Sequence, residues 1–62
     1  MHIYHCFFLD KDEHIRFTEI IEADALGEAV DKVQIILREW PQYRTAEIWE
    51  GGRRLYRVDE PV

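Results

Sequence analysis

His5 and Glu19 are the nearest approach to a catalytic pair in these 62 residues. A carboxylate can orient an imidazole for general-base work, provided the two meet in a pocket. No nucleophile or oxyanion donor is identifiable beside them. The expectation is therefore a polar pair that satisfies itself across neighbouring strands, in a chain that is not an enzyme. Asp10, Asp12, Glu13 and His14 carry the oxygen and nitrogen ligands that a cation could take. They lack the longer ligand ladder and internal glycine of a calcium loop, so they read as a solvated acidic turn.

His2 and His5 would fall on opposite sides of a strand, which makes them a poor metal pair. With Cys6 and His14 they form neither of the paired spacings of a structural zinc site. No metal and no cofactor is expected. Cys6 would need a nearby cation or a helix N-terminus to become a reactive thiol, and the sequence places neither next to it. It reads as a small buried apolar residue. Arg53, Arg54 and Arg57 with Tyr56 set guanidinium groups beside a stacking aromatic, the chemistry of a nucleic-acid surface. The net charge of −5 opposes that reading, because affinity for a polyanion rests on several cations sharing one face. A cation–π contact of Arg54 over Trp49 accounts for the same residues. Nucleic acid is thus not the expected partner.

The elements that must position these residues follow from periodicity. Ile3–Leu9 is too short for a helix and rich in aromatic and branched residues, so it reads as a strand. It is apolar in both parities, with Ile3, Phe7 and Leu9 on one side and Tyr4, Cys6 and Phe8 on the other. This predicts a central strand covered on both faces. Residues 10–14 form a hairpin loop and Ile15–Glu22 a second strand. Uniform pairing from that loop sets Leu9 against Ile15, Phe7 against Phe17, Ile3 against Ile21, and His5 against Glu19. A slip of one residue would flip the pattern.

Asp24 is placed to cap a helix that runs to Glu39. Leu26, Ala29, Val30, Val33, Ile36, Leu37 and Trp40 recur at three- and four-residue steps as an apolar stripe. Ile35 falls outside it. Glu28 and Lys32 form an i,i+4 pair, and Pro41 stops the helix at Trp40. Thr45–Glu50 and Arg53–Val58 flank Gly51-Gly52, the signature of a type I′ hairpin turn. Uniform pairing there sets Ile48 against Leu55, Trp49 against Arg54, and Glu47 against Tyr56. The tail, Asp59–Val62, is expected to fray.

The segments E-I-W-E-G-G-R-R-L-Y-R, residues 47–57, and E-A-D-A-L-G-E-A-V, residues 22–30, resemble those of short alphaproteobacterial ββαββ proteins of unknown function. The likeness extends over most of the chain. The first half is also faintly similar to HicB-type antitoxins, in which two strands joined by a polar turn precede a helix with Glu-Ala. The Pro-Asp-Leu-Pro-Gly-Cys stretch of that family is missing here. The resemblance implies a ββαββ fold and, through the second family, an antitoxin-like regulator as the alternative function.

Two hairpins and one helix predict a single α+β domain over residues 1–62: a four-stranded, mainly antiparallel sheet with the helix on one face. The strand order 2-1-3-4 places the first strand inside. Under uniform pairing the helix covers Ile3, Phe7, Leu9, Ile15, Phe17, Ile21, Ala46, Ile48 and Leu55. The opposite face then carries Tyr4, Cys6, Phe8, Ile20, Trp49, Tyr56 and Val58. An uncovered aromatic face marks an interface, and Tyr4, Phe8, Ile20, Trp49, Arg54 and Tyr56 are its expected residues. A domain this small buries only about 60% of its unfolded surface and gains from a partner. The expected function is a self-associating, non-enzymatic interaction module, most simply a homodimer, with an unknown protein partner as a further option. A lone thiol suits the cytoplasm. No targeting segment or membrane span is expected: Ile3–Leu9 has no basic stretch before it, and no apolar run reaches about 18 residues. The charge is uneven, −6 over residues 1–31 and +1 over residues 32–62.

Overall fold

The computed structural model describes residues 1–59. The elements are β1 (His2–Leu9), β2 (Ile15–Ala23), α1 (Leu26–Glu39), β3 (Thr45–Glu50) and β4 (Arg53–Asp59). The strands form one sheet in the order β2-β1-β3-β4, with every neighbouring pair antiparallel. β2 and β3 flank β1 and run the same way, so the chain must cross over β1 between them, and α1 is that crossover. The expected ββαββ α+β architecture is the observed one. Asp59 of the expected frayed tail closes β4, and residues 60–62 lie outside the described residues.

Each hairpin begins in the expected register and then departs from it by one residue. In the first, the Asp10 carboxylate closes the loop. Its Oδ1 accepts the backbone N–H of Asp12 at 2.8 Å and of His14 at 3.0 Å. Asp and Asn favour turns because their short side chains bond the backbone a few residues on. Leu9 stands opposite Ile15, as uniform pairing requires. Arg16 is then left without a partner, and Phe8 stands opposite Phe17. This β-bulge shifts the rest of the hairpin: Cys6 faces Glu19, His5 faces Ile20, and Tyr4 faces Ile21. The second hairpin repeats the device. Gly51 and Gly52 take φ of 61° and 79°, a region that costs glycine nothing. Trp49 faces Arg54, Leu55 is the extra residue, and Ile48 faces Tyr56.

The two bulges decide which face the helix covers. Rows across the sheet read Glu19–Cys6–Ile48–Tyr56 and Phe17–Phe8–Ala46–Val58 on the helix side. Tyr4, Cys6 and Phe8 are therefore buried beneath α1 together with Ile21, Ala46, Ile48 and Val58. The expected assignment of β1 is reversed. Tyr4, Cys6, Phe8 and Val58 belong to the core, while Ile3 and Phe7 face away from the helix. Ile15 and Leu55, expected under the helix, are exposed at the two bulges.

The helix buries Ala29, Val33 and Leu37, with Leu26, Val30 and Ile36 packed at the rim. Its cap position holds Ala25 rather than Asp24, and no side chain caps the first turn. Glu28 reaches back instead, its Oε2 lying 3.5 Å from the Asp24 amide. Lys32 Nζ donates to the Glu22 carbonyl at 3.3 Å and so ties α1 to β2. Trp40 ends the helix, its N–H donating to the Ile36 carbonyl.

Candidate interaction surface

On the helix-free face one row runs Ile20–His5–Trp49–Arg54 and the next Thr18–Phe7–Glu47–Arg57, with Ile3 beside Glu22 above them. Alternation along each strand, reset by the bulges, places these side chains together. Phe7 and Trp49 meet edge to face at 6.1 Å between ring centroids, a favoured arrangement of aromatic quadrupoles. Both are half-buried. Ile3 and Ile20 stand out beside them, 53% and 58% exposed. An apolar centre on an uncovered sheet face is a candidate interaction surface.

Glu47 organises the basic side of this face. Its Oε1 accepts the Trp49 indole N–H at 3.1 Å, and its Oε2 lies 3.3 Å from Arg54 Nη1 and 3.8 Å from Arg57 Nη1. Arg57 also reaches Glu13 at 2.6 Å and Asp59 at 3.5 Å. These partners, Glu13 first, raise its already high pKa. The Arg57–Glu13 pair joins β4 to the first hairpin loop. Sequence reasoning overlooked Glu47. Its signal is the Glu-x-Trp spacing, which puts both side chains on one face of a strand.

Of the six expected interface residues, Ile20, Trp49 and Arg54 lie on the helix-free face. Tyr4 and Phe8 do not: each is at most 2% exposed, beneath α1. Tyr56 shares the helix-side row with Ile48 at the β4 edge and remains exposed. Burial, with Glu50 and Glu28 nearby, raises the Tyr4 hydroxyl above its ordinary pKa. The expected His5–Glu19 pair is not formed. His5 points to the helix-free face, opposite Ile20, and Glu19 to the helix side, opposite Cys6. A sheet separates the two groups, so they cannot act on one substrate atom. Cys6 is buried, and burial followed by the Glu19 charge pushes its thiol up to about 11.

The acidic turn is held by its own backbone. Hydrogen bonds from His14 and Asp12 amides keep the Asp10 carboxyl below its usual range. Among the described residues, no three His, Cys, Asp or Glu side chains converge as a metal site would require. No described helix is long and apolar enough to cross a membrane. No protein family, curated protein or solved structure matches this chain.

Proposed function

We propose that the chain is a non-catalytic interaction module that pairs with a second copy through the helix-free face of its sheet. The observation that supports this reading is the Phe7–Trp49 pair flanked by exposed Ile3 and Ile20. Fully burying one such side chain contributes roughly 1.5–3 kcal/mol. Several together can exceed the rigid-body freedom lost on association, for which about 4 kcal/mol is a lower figure. Four strands about 4.8 Å apart, each presenting some six residues at about 3.3 Å, give a footprint of roughly 400 Å² per copy. That is about half of a standard interface, so the dimer belongs to the weak, transient class. A two-fold axis presents the same patch on both copies. A reduced cytoplasmic setting suits the unpaired thiol of Cys6.

Sedimentation from tens to hundreds of micromolar tests this reading. The wild-type mass should rise toward twice the monomer value, and Ile20→Glu should hold the chain monomeric with its fold intact. A wild-type chain that stays monomeric across the range overturns the reading. Phe8→Glu is unsuitable for this purpose, because Phe8 lies in the core and a buried unpaired charge unfolds the domain.

The row Ile20–His5–Trp49–Arg54 favours a second reading, a small nucleic-acid-binding or antitoxin-like regulator, since it sets an aromatic beside the Arg54 guanidinium on one face. Against it, Glu47 engages both Arg54 and Arg57. Submicromolar binding of a single-stranded oligonucleotide at physiological salt, lost in Arg54→Glu, would put this reading first.

A further inference from the structure

We propose that the trough between the free edge of β2 and α1 receives an extended peptide as a fifth strand, one carrying an arginine or lysine with apolar residues two positions away on either side. β2 pairs only with β1, so its outer edge has no neighbouring strand among the described residues. An added strand satisfies such an edge through main-chain hydrogen bonds and reads it through alternate side chains.

Beside the edge lies an apolar cleft of about 300 Å³ formed by Phe17, Glu19, Ile36, Trp40 and Tyr43. It continues along β2 past Ile20 and Ile35 to Glu22 and Lys32, and Glu19 and Ile36 line both parts. Phe17, Ile35 and Trp40 are 40%, 51% and 51% exposed. Ile35, outside the core stripe of α1, therefore has a place on the wall of this trough. Lys32 already holds the Glu22 carbonyl, so the open edge runs from Phe17 to Ile21 and spans about 13 Å at about 3.3 Å per residue, the length of a five-residue strand.

Charge selects the occupant. Glu19 is half-buried among these apolar groups, and its side-chain carboxylate makes no hydrogen bond or ion pair with any described residue. Phe17, Glu19 and Ile21 alternate on the helix side of β2. A strand laid against them presents its own alternate residues to the same side, which sets an apolar, a cationic and a second apolar side chain against that triplet. Two copies joined β2 to β2 and centred on Glu19 would instead set the two Glu19 carboxylates against each other, with Arg16 reaching only Glu22. Acids on an edge strand resist that kind of pairing. The basic β4 edge of a second copy would pair head to tail and leave the assembly open-ended. A basic peptide segment of another protein meets neither obstacle.

The test is titration of the ¹⁵N-labelled full chain with the capped peptide Ser-Leu-Ser-Arg-Ser-Leu-Ser, followed by amide and indole chemical shifts. Shifts should concentrate in residues 16–22 and 35–43, including the Trp40 indole, with submillimolar affinity. Glutamate in place of the arginine, or proline in place of the flanking serines, should abolish them. Glu19→Gln, checked for a native amide spectrum, should weaken binding about fivefold, the scale of one partly exposed ion pair. The proposal is overturned by an unchanged spectrum at millimolar peptide, by equal binding of the arginine and glutamate peptides, or by shifts confined to the helix-free face. Concentration-dependent shifts without peptide at Phe17, Ile35 and the Trp40 indole, which line the trough and not the helix-free face, would also overturn it, assigning the trough to a second copy. The outcome is separable from dimer formation at Phe17, Ile35 and Trp40, because Phe7 and Trp49 lie on the opposite face of the sheet, whereas Ile20 borders both surfaces.

Discussion

The indole N–H of Trp49 donates to Glu47 Oε1 across 3.1 Å, while the other carboxylate oxygen of Glu47 holds Arg54 at 3.3 Å. One mostly buried carboxylate, its side chain 15% exposed, thus fixes an aromatic residue and pairs with β4. Removing it leaves the indole and the Arg54 guanidinium to water, while Arg57 keeps Glu13 and Asp59. Glu47→Ala should cost about 1–2 kcal/mol, since hydrogen bonds to a charged acceptor are worth more than neutral ones but this face is open to solvent. In a domain of this size that lowers the melting temperature by roughly 4–16 °C. Glu47→Gln, which keeps an acceptor for the indole, should lose less. Equal melting of wild type and Glu47→Ala would reduce the cluster to a surface contact.

Alkaline pH should destabilise the fold through Cys6. Its folded pKa is raised from 9.0 to about 11, because burial disfavours the thiolate. The unfolded chain therefore releases this proton first. The corresponding stability is complete below pH 9 and declines as pH rises toward 11. The Tyr4 hydroxyl, also shifted upward, adds in the same sense above the ordinary tyrosine value of 10.0. Thermal melts between pH 8 and pH 11 should show a falling midpoint, shallower in Cys6→Ala. Native Cys6 should also resist iodoacetamide at pH 8 and react once urea is added. Rapid alkylation of the folded chain would contradict the burial of this residue.

The start of α1 leaves stability unused. Ala25 has the extended backbone of a cap residue, φ −147° and ψ 158°, but offers no side-chain acceptor to the free amides of the first turn. Ala25→Asp should supply one and also meet the positive end of the helix dipole, adding about 1 kcal/mol. The melting temperature should rise by about 4–8 °C. A lower midpoint would place the helix start elsewhere.

Much of the architecture was legible because it rests on local patterns. The three- and four-residue recurrence from Leu26 to Leu37 marks α1, and its buried members Ala29, Val33 and Leu37 follow from that spacing. Gly51-Gly52 marks the second turn through the positive φ that both residues take. The strand order follows from an apolar β1 flanked by two hairpins. The sequence also places Trp49, Ile20 and Arg54 on the helix-free face, where they lie. Tyr4 and Phe8 were not so legible, because β1 is apolar in both parities and either set could have met the helix.

The amino-acid sequence by itself determined the elements, their order and the turns, since each depends on side-chain period, capping or backbone freedom within a few residues. Only the tertiary structure decided the faces. One unpaired residue in each hairpin, Arg16 and Leu55, shifts the ladder by a single position. Because side chains alternate with a period of two, that shift exchanges one side of the hairpin for the other. The choice between the two registers is made by the burial of Tyr4, Cys6, Phe8, Ile48 and Val58 against Val33 and Leu37. Those contacts join residues far apart in the chain, and no local pattern encodes them. The same choice carries His5 away from Glu19, brings Phe7 to Trp49, and leaves Glu19 in the trough beside α1.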